Sequence, residues 1–383
     1  MTDRILTTHV GSLPRPADVA DLLFAQERGE AIDEGLFGEA IAAAVADVVR
    51  RQVLAGVDLV SDGEMSKISY ATYIKDRITG FEGDSPRTPP ADLEQFPSFL
   101  SRQAKGGGTP EYRRPRCVGP VAPKTLAPLE ADIANLAAAL AETKPEGAFM
   151  NAASPGVIAL FQPNDYYTTQ DEYLEALAEA MRPEYEAIVA AGLTLQLDSP
   201  DLGLGRHMMY KDRSEADYLL LAERHIEVLN HALRNIPPDR VRMHVCWGNY
   251  EGPHHCDIEM RVVLPVLIKA KPAGLLFETA NPRHQHDIDD LAEQRGIIPD
   301  DKTLIPGLLD STTNFIEHPR GVARRIMAFA DLFGRERIIA GTDCGFSTFA
   351  GFGVVDHDIV WAKLAALSDG AAIASEKLWK AAA

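Results

Sequence analysis

His244 and Cys246 stand two positions apart at the end of the apolar run Val241-Arg242-Met243-His244-Val245-Cys246. Strand side chains alternate with a period of two, so both would project to the same side. Two later apolar runs end in groups of similar capability: Leu275-Leu276-Phe277-Glu278-Thr279, and Ile338-Ile339-Ala340-Gly341-Thr342-Asp343-Cys344. Imidazole, two thiolates and a carboxylate are a donor set suited to Zn2+. Three anionic ligands around a dication would leave an electron-rich centre. The plainer alternative is a core thiol beside a satisfied histidine, and it is the one that fits Cys117. Two denser clusters read differently. His254-His255-Cys256 lies past a Gly-Pro turn where a helix is expected, so it is read as surface, at most near a substrate. His284-Gln285-His286-Asp287 follows Pro282 and is read as helix capping.

Further runs end in polar residues at Ser12, Glu64, Asp198 and Asp310. Such ends matter only if the chain gathers them, and the alternation of elements predicts that it does. Nine strand candidates (6–12, 58–64, 116–120, 149–154, 194–199, 241–246, 275–279, 304–310 and 338–344) are interspersed with helical patterns over 36–56, 171–192, 214–234, 257–271, 317–334 and 357–380. The stripe Phe37, Ile41, Ala44, Val45, Val48, Val49 and Val53 has helical spacing. Repeated strand–helix alternation with nearly continuous apolar strands means parallel strands buried on both faces. A (β/α)8 TIM barrel with one accessory strand fits this count, as one domain over 1–383. In that fold every strand C-terminus opens on one face, which carries the active site. Residues 81–115, rich in Pro, Gly and Arg, are the expected insertion: a lid, binding loop or interface arm, or a surface excursion.

With 383 residues, 38 basic and 56 acidic side chains, the formal net charge is −18. That disfavours nucleic acid and anionic membranes as partners. No stretch approaches the roughly 20 apolar residues of a membrane helix, and the N-terminus does not resemble a signal peptide. Four cysteines do not form a disulfide framework. A cytoplasmic enzyme is expected, with a homo-oligomer left open.

Several segments together resemble the cobalamin-independent methionine synthase family, in particular its catalytic C-terminal barrel standing alone. They are His9-Val10-Gly11-Ser12-Leu13-Pro14, Asp62-Gly63-Glu64, Leu197-Asp198-Ser199-Pro200, His244-x-Cys246, Phe277-Glu278-Thr279 and Asp343-Cys344-Gly345. The resemblance implies a TIM barrel in which His244, Cys246, Glu278 and Cys344 hold Zn2+. It implies that Ser12, Glu64 and Asp198 bind the thiol substrate. Two departures stand out. Thr312 occupies the place, two residues after Asp310, where the folate enzymes carry a proton-donating histidine. No tryptophan near Phe161-Gln162 matches their folate-stacking residue. The chain also resembles the short epoxyalkane:coenzyme M transferases of the 2-hydroxypropyl-CoM lyase type.

The expected activity is S-alkylation of a small thiol, homocysteine or coenzyme M, by a small alkyl donor. A free thiol of pKa ~8.5 is mostly protonated near neutrality, and zinc coordination removes the proton. The leaving group then needs a proton, for which Asp310, His207, His254 and Tyr250 are candidates that spacing does not separate; Asp310 could equally stabilise a helix N-terminus, and His207 could be plain surface. Arg15 and Lys67, with Arg114, Arg116 and Arg206, are the cations expected near the mouth to hold an anionic thiol substrate. Other classes remain: a lyase like uroporphyrinogen decarboxylase, which shares the architecture without zinc, or a non-catalytic zinc- or thiol-binding protein.

Overall fold

The strand-end argument requires parallel strands in register. The computed structural model, which describes residues 3–105, 113–351 and 353–380, provides them. Six strands pair in parallel in the order β2 (Leu59–Val60), β5 (Gly147–Ala153), β6 (Thr194–Asp198), β7 (Val241–His244), β8 (Gly274–Phe277) and β9 (Thr303–Pro306). Between β2 and β5, β3 (Phe81–Glu82) and β4 (Arg116–Cys117) form a separate antiparallel ribbon. The chain-terminal strands β1 (Leu6–Thr7) and β10 (Ile339–Ala340) also pair in parallel. Single parallel bridges connect Thr8 to Leu59, Leu304 to Ile338, and Gly307 to Gly341. The result is a mixed α/β fold around a curled parallel sheet. The candidate over 116–120 is the accessory strand.

Helices flank the sheet much as the apolar stripes require. The expected 36–56 is Glu34–Leu54, capped by the Asp33 side chain accepting from the Gly35 and Leu36 N–H groups. The expected 171–192 is Gln170–Ala190, opened by a capping box between Thr169 and Glu172. The expected 257–271 is shorter, Met260–Leu267. The helices Pro319–Phe333 and His357–Lys380 pack on one another. Among the described residues, no helix is long and apolar enough to cross a membrane.

Register does the positioning. Asp198 stands level with Ala153 on one neighbour and with His244 on the other, so three strands end together. Inside the curl the alternation puts Gln196 below Asp198 and Arg242 below His244. Buried Arg242 donates to the Thr8 hydroxyl at 2.9 Å and the His9 carbonyl at 3.0 Å, and its guanidinium lies 3.6 Å from the Phe149 ring centroid. The expected insertion is not structureless where it is described: it holds short helices over Ala91–Glu94 and Pro97–Lys105. Buried Asp92 and Leu93 fasten it to the body, so the reading as a free surface excursion is corrected.

Candidate metal centre and the cavity above it

A cavity of about 710 Å³ opens at the strand C-termini, with Cys246, Cys344 and His244 in its lining. The donor atoms of these three residues all lie within 4.8 Å of one another. The two sulfurs are 3.7 Å apart. A disulfide would need about 2.05 Å, whereas two thiolates on one tetrahedral zinc at ~2.3 Å each are separated by roughly 3.8 Å. The donor set and its spacing therefore fit zinc. Around it, the Gly248 N–H donates to the Cys246 sulfur at 3.2 Å. Glu278 accepts the Trp247 N–H at 2.9 Å and hydrogen-bonds the Cys246 thiol; it is buried and does not line the cavity. Burial raises its carboxyl pKa, as does the neighbouring Cys246. Asp343 ties two strand ends together, accepting N–H groups from Thr279 and Ala280 at 2.9 and 2.8 Å and from Asn281 at 2.6 Å. His244 is held between the Asp343 carbonyl, 3.1 Å from Nε2, and the Asp198 carboxylate, 3.4 Å from Nδ1.

One wall carries Ser12, Glu64, Asn151 and Asp198. Sequence reasoning found three of these and missed Asn151, whose amide donates to the Val10 carbonyl and to Asp198, both at 2.9 Å. Its signal was a polar residue inside an otherwise apolar strand. The backbone is drawn tight here: a Cβ on Gly345 would come within 1.9 Å of the Ser12 hydroxyl, so only glycine fits. Glu64 holds φ +58°, an uncommon conformation for a residue other than glycine. Burial pushes its pKa up to about 7, opposed by Lys67 and reinforced by Asp198, and its Oε1 lacks a hydrogen-bond partner.

Arg15 and Lys67 are placed differently from the expectation. Neither lines the cavity, and both are buried. Arg15 donates to the Glu64 carbonyl at 2.8 Å and to the Ser347 carbonyl at 2.7 Å, bracing the strained turn. The Lys67 ammonium bonds the Asn151 carbonyl at 2.7 Å, 3.5 Å from Glu64 and 4.4 Å from the Tyr73 ring centroid. They hold Glu64 in place from behind. Of the other arginines, Arg114 lines the cavity, as does Arg87, while Arg116 pairs with Asp165. Asp310 lies outside the lining. Its carboxylate is occupied by the Thr312 N–H and hydroxyl, both at 2.8 Å, and the Thr313 hydroxyl at 2.9 Å, so it closes a turn instead of facing the reaction space.

The roof of the cavity includes Tyr250 and, from the insertion, Pro90 and Leu93, and behind it lies a second polar cluster. Tyr250 donates to Asp92 at 2.9 Å and its hydroxyl is 3.3 Å from His207 Nε2. Asp257 Oδ2 is 2.9 Å from both His254 Nδ1 and His284 Nε2, and His284 Nδ1 is 2.9 Å from Asp287 Oδ2. His254 and His284 are therefore buried members of an ion network, not the surface and capping residues expected, although His255 is exposed. Asp257 was missed because it falls in a stretch read as helix. Its signal was a repeated His-x-x-Asp spacing, at 254/257 and at 284/287.

No protein-family model matches the chain. Curated methionine synthases from Saccharolobus islandicus (strain Y.N.15.51) and Sulfurisphaera tokodaii are 26% and 25% identical to it. Each alignment covers 97% of this chain and, respectively, 95% and 93% of the relative. Two solved structures share the fold. A B12-independent methionine synthase from Shewanella sp. W3-18-1, in complex with selenomethionine, gives a TM-score of 0.71 at 19% identity. It covers 98% of this chain and 99% of that one. A putative vitamin-B12-independent methionine synthase from Listeria monocytogenes gives 0.65 at 18%, with the same coverage. Full-length similarity to the curated relatives, on a fold shared with both structures, supports the resemblance to the cobalamin-independent methionine synthase family.

Proposed function

We propose that the chain is a zinc-dependent transferase that alkylates a small thiol, with homocysteine as the substrate the wall suits best. The observation that carries this is the convergence of His244, Cys246 and Cys344 to within 4.8 Å in the lining of the cavity. The curated relatives, named methionine synthases, support the same reaction class. His244, Cys246, Cys344 and the adjacent Glu278 would hold the ion. When bound there, zinc keeps a substrate thiol ionised near neutral pH.

The chain's own residues do the rest. Ser12, Glu64, Asn151 and Asp198 form a short polar wall beside the donor atoms. Ionised Glu64 and Asp198 suit the ammonium of an amino-acid thiol, and holding the thiol and the donor together removes much of the entropic barrier. Coenzyme M, whose sulfonate prefers guanidinium donors, is the second reading, favoured by Arg87 and Arg114 in the lining. Neither Asp310 nor Thr312 lines the cavity, and the Asp310 carboxylate is held in its own turn, which supports a proton donor elsewhere in the site. As architecture, we read the eight parallel strands as a closed (β/α)8 barrel in one domain, on the strength of the three single bridges.

Metal analysis combined with a thiol screen tests the proposal. Purified protein should carry about one zinc per chain and consume homocysteine faster than coenzyme M. Full activity in chelator-stripped, metal-free protein would refute it.

A further inference from the structure

Three histidines and one carboxylate meet behind the roof: His207, His254 and His284 surround Asp257, all of them buried. Partner chemistry fixes the protons on two of the rings. His254 faces the Tyr250 carbonyl at 2.9 Å through Nε2 and the Asp257 carboxylate at 2.9 Å through Nδ1. Both partners only accept, so both ring nitrogens carry protons. His284 lies between two carboxylates, Asp257 and Asp287, each at 2.9 Å, and the same logic makes it a cation. These protons cannot leave without breaking a buried ion pair. The backbone at His254 is held at φ +53° to make this arrangement, a cost that buried networks at functional sites commonly bear.

His207 is different. Its Nδ1 and Asp257 Oδ1 face each other at 3.4 Å, and each is a buried atom without a hydrogen-bond partner. That gap is where one more proton fits. The cluster also has charge for it, because Asp92, Asp257 and Asp287 outnumber the two fixed imidazolium ions by one. The other ring nitrogen, Nε2, is 3.3 Å from the Tyr250 hydroxyl, and Tyr250 belongs to the cavity wall. Burial lowers the His207 pKa, more than Asp257 and Asp92 raise it, and His254 and Arg206 add to the lowering, so its charged form gives up a proton readily.

We propose that Tyr250 is the acid that protonates the departing atom of the alkyl donor, and that His207 is the positioning residue that resupplies it. This rests on the thiol-alkylation reading above. As the sulfur–carbon bond forms, the bond from that carbon to the leaving atom breaks and its electron pair stays on the leaving atom. The Tyr250 O–H proton moves to that atom, and the Nε2 proton of doubly protonated His207 moves to the Tyr250 oxygen. His207 is left neutral, with Nδ1–H directed at Asp257. The proton given up by the next thiol recharges it, so thiol plus donor become thioether plus protonated leaving group with no other reactant. Asp92, brought in by the insertion, holds the Tyr250 hydroxyl until the donor arrives.

The test uses the zinc-loaded full chain, homocysteine and two alkyl donors. A short epoxide leaves an alkoxide that needs a proton, and trimethylsulfonium leaves a neutral thioether that does not. Tyr250→Phe and His207→Gln should each lower the epoxide-to-sulfonium rate ratio by about 100-fold, the lower end of general acid catalysis. An unchanged ratio, whether both rates fall together or neither falls, would overturn the proposal while leaving the transferase reading intact. Should the wild type alkylate with neither donor, that reading fails first, and imidazole nitrogen NMR decides the proton assignment. His207 should gain a proton as the pH falls from 8 toward 5 while His254 and His284 keep both of theirs. A His207 that never changes state, or a His254 or His284 that titrates, would overturn it.

Discussion

The floor and the roof of the cavity are built from similar residue types and are suited to different ions. On the floor, the His244, Cys246 and Cys344 donors converge on one another, with two sulfurs 3.7 Å apart. In the roof, the imidazoles of His254 and His284 turn their nitrogens toward carboxylates at 2.9 Å. Converging lone pairs suit a metal cation, whereas nitrogens capped by carboxylates retain protons. Residue counts alone do not separate the two. His254-His255-Cys256 is the denser cluster in sequence, but only His254 enters the roof network, and Cys256 lies apart, accepting from Gln95.

The comparison breaks most severely on the floor. Cys246→Ser or Cys344→Ser should each drop bound zinc from about one per chain to well below that and reduce turnover to background, because a hard hydroxyl is a poor substitute for a thiolate. The fold should survive, as seen by circular dichroism. A variant that retained both metal and turnover would remove that cysteine from the ligand set.

Next in size is the roof. Asp257→Asn leaves His254 and His284 buried without their shared counter-ion and should cost about 3–5 kcal/mol in chemical denaturation, with zinc content retained. The pH dependence sharpens this. Burial lowers the His284 pKa, but its bonds to Asp257 and Asp287 outweigh that and raise it to about 10 from 6.5. A raised histidine stabilises fully below its unfolded value, and that stability is lost as pH rises through the folded one. Wild-type stability should therefore decline between about pH 6.5 and 10, and Asp257→Asn should flatten the decline. An unchanged slope would mean that His284 is not held as a cation.

The floor was more legible in sequence than the roof, for a physical reason. His244, Cys246 and Cys344 are fixed by strand period and by strand ends that finish level, and both are local properties of short apolar runs. Asp92, Tyr250 and Asp257 meet only because the insertion folds down, with the Ala91 N–H donating to the His207 carbonyl at 2.8 Å. No spacing in the chain announces a contact between residues 92 and 250. Arg15 and Lys67 show a subtler limit: their position near the site was legible, but whether each faces the cavity or braces Glu64 from behind depends on packing. Asp310 misled because a carboxylate at a strand end looks the same in sequence whether it faces a substrate or ties off its own turn.

Glu64 lies between the two regimes and yields the smallest of these effects. It is buried on the wall like a roof carboxylate, but no histidine fixes its proton, and Lys67 approaches only to 3.5 Å. Burial therefore dominates and carries its pKa to about 7. Below that value the side chain is neutral and offers an ammonium only a dipole; above it, a full charge. Homocysteine should accordingly bind more tightly as pH rises from 6 to 8, by roughly tenfold if the charged contact is worth ~1.4 kcal/mol, as is common for a hydrogen bond to an ionised group. The gain should be absent in Glu64→Gln and for 3-mercaptopropionate, which carries a thiol and no ammonium. Equal pH dependence for both thiols would show that the titrating group belongs to the sulfur end of the site, and would place the ammonium elsewhere.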